Sequence, residues 1–156
     1  MPVDVPALWL GEQQWHIDRV ERGAVAVERV NPAGLARASG FSHAVVATGR
    51  RVVFLAGQTA TGPDGRIEGE TVAAQFERAL GNLLHALRAA GGAPGHLASL
   101  TIYAVDLADY RAQAREIGAA WRRLAGPQYP AMAAVGVSRL WDAEALVEVQ
   151  GYAVLP

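Results

Sequence analysis

Hydrophobic and polar positions change period several times along the chain, and each change predicts an element. "AVAVERV" (24–30) alternates and reads as a strand closed by Asn31, Pro32 and Gly34. "SHAVVAT" (42–48) and "RVVFLAG" (51–57) are β-rich runs with only Gly49 and Arg50 between them, a spacing that predicts a tight hairpin. "TGPDGR" (61–66) is a turn, because its Pro and Gly supply restricted and positive φ. The period then lengthens. Val72, Phe76, Leu80, Leu83, Leu84 and Leu87 form one helical stripe, predicting a helix over 71–90 that stops at Gly91-Gly92. "LASLTIYAVDL" (97–107) reads as a buried strand. Asp109 suits the N-cap of a second helix with the stripe Tyr110, Ala114, Ile117, Trp121 and Leu124, ended by Gly126-Pro127. "AMAAVGVSRL" (131–140) and "ALVEVQGYAV" (145–154) close the chain as two strands joined by "WDAE".

The resulting order, β-β-β-α-β-α-β-β, predicts an α+β domain with two helices on one face of a mostly antiparallel sheet. The other sheet face then needs cover, and identical subunits closed into a ring are one way to supply it.

Composition narrows the function classes. The chain has 156 residues, enough for one domain with a real core. Its formal net charge is -1, so nothing favours nucleic acid as a partner. It has no cysteine, which excludes disulfides, thiol catalysis and Cys-ligated metal, and fits a cytoplasmic location. No apolar stretch approaches the roughly 20 residues of a membrane helix, and no signal-peptide pattern opens the chain. Residues 1–23 differ in character and carry Trp9 and Trp15. They read as an N-terminal extension, either an arm packed on a neighbour or a tail, before a main domain at 24–156. His16, His85 and His96 lack ligand spacing, so no metal site and no cofactor are expected. No P-loop or nucleophile elbow is present.

Six stretches in order carry a resemblance: "GFSHAV", "VVFLAGQTA", "VAAQFERALGNLLHALRAAGG", "LTIYAVDLADY", "YPAMAAVGV" and "ALVEVQGYAV". Over residues 25–155 the chain resembles the Rid family, also called the YjgF family, known for enamine and imine deaminases. The resemblance implies a chorismate-mutase-like fold and a homotrimer with a ligand cleft at each subunit boundary. It also implies four site features. An Arg after the Pro-Ala of the fifth strand grips a substrate carboxylate, and a Ser precedes the Gly-Gln of the third strand. A Glu on the last strand positions water, and a Tyr near the second strand closes the pocket. Here Met132 stands at the Arg position, Ala56 at the Ser position and Phe41 at the Tyr position. Gly57, Gln58 and Asn82 match the family, and Glu148 aligns with its water-positioning Glu.

These exchanges have chemical consequences. An Arg fork makes charge-assisted bonds worth about 1.5–3 kcal/mol each, whereas a thioether is a weak acceptor. Its loss weakens an anionic ligand by about 100-fold or more, so 2-imino acids are poor candidates at this position and a neutral or apolar ligand fits better. Glu148 has two readings: an ordinary carboxylate on a wet strand face with Leu146, Gln150 and Tyr152, or a base that holds and deprotonates a water. Met132 is either core filler or pocket wall. Phe41 and Tyr129 are either aromatic walls or core. The Gly57 N–H can donate to a ligand oxygen. His43 either donates to a ligand and titrates near neutral pH or serves as an interface residue. Trp141 is expected to cover an edge or touch a neighbouring subunit.

The expectation is therefore a trimer with a small-molecule cleft, hydrolysing an imine or enamine with release of ammonia, or a non-catalytic small-molecule binding and regulatory module. RNA cleavage, an activity of some relatives, fits poorly with the charge.

Overall fold

The computed structural model describes residues 26–156. The expected N-terminal extension, with Trp9, Trp15 and His16, lies outside the described residues. The described elements are β1 (Ala26–Val30), β2 (Ala44–Thr48), β3 (Arg51–Gln58), α1 (Val72–Ala89), β4 (Leu97–Ala104), α2 (Leu107–Ala112), α3 (Ala114–Ala125), β5 (Ala131–Gly136) and β6 (Val147–Leu155). A short 3-10 turn, Pro94–His96, leads into β4.

The main sheet runs β3-β6-β4-β5. Its β3–β6 and β6–β4 pairs are antiparallel and its β4–β5 pair is parallel. β1 and β2 form a separate antiparallel pair. The α+β class, with helices on one face of a mostly antiparallel sheet, is as the sequence predicts.

Two local expectations change. β2 and β3 do not form the predicted hairpin. At Gly49 and Arg50 the chain passes from one sheet to the other, and the Arg50 N–H donates to the Leu155 carbonyl at 2.9 Å. A Cβ at Gly49 would overlap that same carbonyl, so glycine permits the close crossing. The end of β6 thus takes the place beside β3 that a hairpin would have given to β2. The predicted second helix is two helices broken at Gln113. Its N-cap is Asp106, not Asp109: the Asp106 carboxylate accepts from the Ala108 and Asp109 N–H groups at 2.8 and 3.0 Å. The Asp109 carboxylate instead accepts from the Gln113 side chain at 2.8 Å, and Gln113 Oε1 accepts from the Ala73 N–H at 3.2 Å.

α1 forms as its stripe predicts. Thr71 caps it, its hydroxyl accepting from the Ala74 N–H at 3.2 Å. At the far end Gly91 adopts φ 88°, and the Gly92 N–H returns to the Leu87 carbonyl at 2.9 Å. The buried stripe packs on β6 and β3, where Val147, Val149, Ala153 and Leu155 point toward the helices. Strand alternation sends Glu148, Gln150, Tyr152 and Val154 to the other face. Among the described residues no helix lies across that face, and Val52 and Phe54 of β3, Val135 of β5 and Tyr152 of β6 are exposed there. Phe54 is 76% exposed and meets the Tyr152 ring edge-on, with ring centroids 5.4 Å apart.

Candidate functional site

The sequence-predicted site residues fall into two groups. The first stands where β3 meets β6. Leu55 pairs with Gly151 and Gln58 with Val149, so Ala56 and Gly57 together oppose Gln150 alone. This is a β-bulge, which breaks the ladder and bends the strand. The Glu148 side chain lies across the bulge. A Cβ at Gly57 would overlap its Oε1, and the carboxyl carbon stands 2.8 Å from that position. Gly57 is therefore glycine because the carboxylate occupies the space of a side chain. Glu148 is half-buried and, among the described residues, no ion pair reaches it. Gln58 turns back on its own strand, its amide donating to the Ala56 carbonyl at 3.4 Å. Asn82 is an anchor: its amide donates to the Thr59 and Thr61 carbonyls at 3.1 and 2.9 Å and fixes the loop that leaves β3.

The second group stands at the β5 edge. Ser42 makes one parallel bridge to Ala131, after which β2 and β5 part. Its N–H donates to the Pro130 carbonyl at 2.9 Å and its hydroxyl to the Tyr129 carbonyl at 2.7 Å. Beside this pin, Phe41, His43, Ala131, Met132 and Ala133 border a groove of about 370 Å³. The His43 N–H donates to Asn31 Oδ1 at 2.9 Å, and its Nε2 donates to the Ala36 carbonyl at 2.7 Å. A carbonyl can only accept, so this bond fixes the proton on Nε2, and His43 holds the 31–43 loop in place. Its ring meets the edge of Phe41 at 5.0 Å. Met132 packs against the core and lines a cavity on the helix side. Tyr129 stacks on Trp121 with centroids 5.1 Å apart and an interplanar angle of 18°.

One chain does not bring the groups together. β3 and β5 are opposite edges of the main sheet, three strand spacings or roughly 14 Å apart. Met132 pairs with Leu100 on the helix side, while Glu148 points to the open face.

Residues 31–155 match the family described as Endoribonuclease L-PSP. A protein of unknown function of the conserved Rid family from Yersinia pestis is 32% identical, with 83% of this chain and 98% of that one covered and a TM-score of 0.73. The chain belongs to the Rid/YjgF family. A YjgF-family protein from Neisseria meningitidis is 31% identical over 74% of this chain and 87% of its own, at a TM-score of 0.55. A member from Mycobacterium tuberculosis is 29% identical over the same shares, at 0.56. No curated protein matches. Within this Rid chain, among the described residues, no helix is long and apolar enough to cross a membrane.

Two contributors to the site were missed in the sequence. Ser42 and Gln75 are buried polar side chains, 4% and 2% exposed. The Gln75 amide donates to the Gly69 and Glu144 carbonyls, both at 3.0 Å, and its Oε1 accepts from the Leu146 N–H at 2.8 Å. It thereby sets the start of β6, two residues before Glu148. A signal was present: Gln75 sits beside Phe76 on the apolar side of the α1 stripe, where a polar residue needs partners.

Proposed function

We propose that three copies associate head to tail, so that the β3 bulge of one faces the groove beside β5 of the next. Each seam then holds Glu148, Gly57, Ala56 and Gln58 from one copy and Phe41, His43, Met132 and Tyr129 from its neighbour. The observation that carries this reading is the division of the site between opposite sheet edges, together with an open face bearing Phe54, Val52, Val135 and Tyr152. A heterologous contact of this kind closes into a ring. Trp141 is 96% exposed among the described residues and is available to such a contact.

In that cleft Glu148 guides a water to the carbon of an imine; an enamine first tautomerises to the same species. The carboxylate takes one water proton as the oxygen attacks, and the proton passes to the nitrogen. As the C–N bond breaks, the new hydroxyl passes its proton by way of the Glu148 carboxylate to the departing nitrogen, leaving a carbonyl compound and ammonia. Met132 offers no charge-assisted bond to a carboxylate, so the substrate portion beside it is neutral or apolar. Location in the cytoplasm suits short-lived imines of metabolism.

The test has two parts. Sedimentation should return three times the 16.5 kDa chain mass; a monomer at assay concentration removes the cleft. Ammonia release from freshly generated neutral imines should then exceed buffer and drop at least 100-fold in Glu148→Gln. A trimer whose wild-type and Glu148→Gln forms behave alike, yet are stabilised by neutral ligands, establishes the binding-module alternative.

A further inference from the structure

The open face of the main sheet carries a polar strip along its two central strands. Cross-strand pairs of β4 and β6 build it: Ser99 with Tyr152, Thr101 with Gln150, and Tyr103 with Glu148. The outer strands flank it with apolar side chains, Phe54 on β3 and Val135 on β5. Glu148 is the acid of this strip, and its neighbours there are an amide and a phenol rather than a cation.

The β3 bulge governs how these groups meet. Leu55 pairs with Gly151 and Gln58 with Val149, so Gly57 lies on the rung of Gln150. The Glu148 carboxylate reaches across Gly57 and is thereby carried from its own rung toward that of Gln150. Residues two apart on one strand face are separated by about 7 Å. Among the described residues, no hydrogen bond joins Glu148 to Gln150. One water making a hydrogen bond to each would span about 5.5 Å, which matches the shortened gap.

The Gln150 amide is oriented for such a contact. Its Oε1 accepts from the Tyr103 hydroxyl at a long 3.5 Å. The acceptor end is thus turned to β4, and the nitrogen keeps both hydrogens for other partners. Among the described residues that nitrogen donates to no protein group, yet it is not sealed from solvent. The buried side-chain polar atom lacking a partner there is Arg78 Nε. The half-buried Glu148 carboxylate is open to water on the same ground.

We propose that Gln150 is a second catalytic residue, its amide donating to the water that Glu148 deprotonates, and that Tyr103 is a positioning residue that fixes the amide. This inference rests on the imine reading above. The water points one hydrogen at Glu148 and accepts from Gln150 through one lone pair. Its other lone pair is then aimed at the imine carbon. As the C–O bond forms, the C=N π pair moves to nitrogen and the water proton moves to Glu148. The amide gains and loses nothing.

The test compares wild type, Gln150→Met, Tyr103→Phe and the double variant as full chains in their assembled form. Urea denaturation confirms that each is folded. Methionine keeps the length of glutamine and removes the donor. With freshly generated neutral imines, Gln150→Met should lower kcat about tenfold, the worth of one hydrogen bond. KM should stay unchanged, because the amide holds water and not substrate. Tyr103→Phe should lower kcat about threefold in wild type and have no effect in Gln150→Met, since it acts through the amide. An unchanged kcat in Gln150→Met overturns the role of Gln150. An equal Tyr103→Phe loss in both backgrounds overturns that of Tyr103. A crystal structure of the assembled wild type gives a readout besides activity: an ordered water within hydrogen-bond distance of both the Glu148 carboxylate and the Gln150 nitrogen. Its absence, or direct contact between the two side chains, overturns the proposal whatever the rates. A wild type silent toward imines with that water in place refutes the imine reading instead, and leaves Glu148 and Gln150 standing as a water-binding pair.

Discussion

Replacing Gly57 with Ala tests whether the Glu148 carboxylate really lies over the β3 bulge. Gly57 does not need a positive φ, so alanine fits its backbone without strain. On backbone entropy alone, Ala in a strand should stabilise by roughly 0.5–1 kcal/mol. The added methyl, however, would overlap Glu148 Oε1 and stand 2.8 Å from Cδ and 3.2 Å from Cγ. The tip of a glutamate can swing aside, but a Cγ this close forces rotation nearer the backbone. An off-rotamer side chain costs roughly 0.5–1.5 kcal/mol, and overpacking costs roughly 1–3 kcal/mol. Gly57→Ala should therefore destabilise by about 1–2 kcal/mol.

The same substitution made on Glu148→Ala meets no obstacle and should be neutral or stabilise by about 0.5 kcal/mol. The double-mutant cycle thus predicts a coupling of about 2 kcal/mol, or about 4–8 °C in Tm for a chain of this size. Urea denaturation of the four proteins measures it directly. If the two substitutions add to within about 0.5 kcal/mol, the carboxylate does not rest on Gly57, and the first half of the site is wrongly built. The proposed imine hydrolysis would supply a second readout, which Gly57→Ala should lower through displacement of the carboxylate while the fold survives.

Gln75→Leu removes three hydrogen bonds from a nearly fully buried position and strands two carbonyls and one N–H. At about 1–3 kcal/mol for each group left unpaired, the loss should be about 3 kcal/mol or more by chemical denaturation; a loss below about 1 kcal/mol would mean that the start of β6 does not depend on Gln75. Tyr110 should ionise at about 12 in an ultraviolet titration, above the ordinary 10. Its folded pKa is raised, so its contribution to stability is complete below the unfolded value and is lost as pH climbs from 10 toward about 12. Tyr110→Phe should flatten that alkaline decline; a decline that persists unchanged assigns it to another group.

The parts of the fold legible in the sequence are those that local patterning determines. The α1 stripe predicted its helix to within a residue at each end, because Thr71 caps it and Gly91-Gly92 terminates it. The alternation in β6 correctly separated Val147, Val149 and Ala153 from Glu148, Gln150 and Tyr152. The expectations that failed concern competition between partners. Spacing alone favours a β2–β3 hairpin, yet β3 gains a longer antiparallel partner in β6, and β2 pairs with β1. Asp109 and Asp106 are both plausible caps by residue type, and only the path of the backbone after β4 selects Asp106. The separation of the candidate residues into two groups depends on strand order, which no local pattern encodes.

That separation also explains how Met132 and Glu148 can change independently. An arginine at position 132 would place its charge beside β5, on a strand two places removed from the Glu148 strand. Within one chain the two side chains share neither a hydrogen bond nor a cavity wall; Met132 borders the helix-side cavity and the β5 groove, and Glu148 borders neither. An arginine in place of Met132 would therefore leave the carboxylate where it is, across the Gly57 bulge and in the β6 register. Met132 itself is an apolar side chain packed against the core. Under the proposed function, selectivity for the ligand and the handling of water would therefore reside toward different edges of one sheet, and association of copies would be the step that couples them.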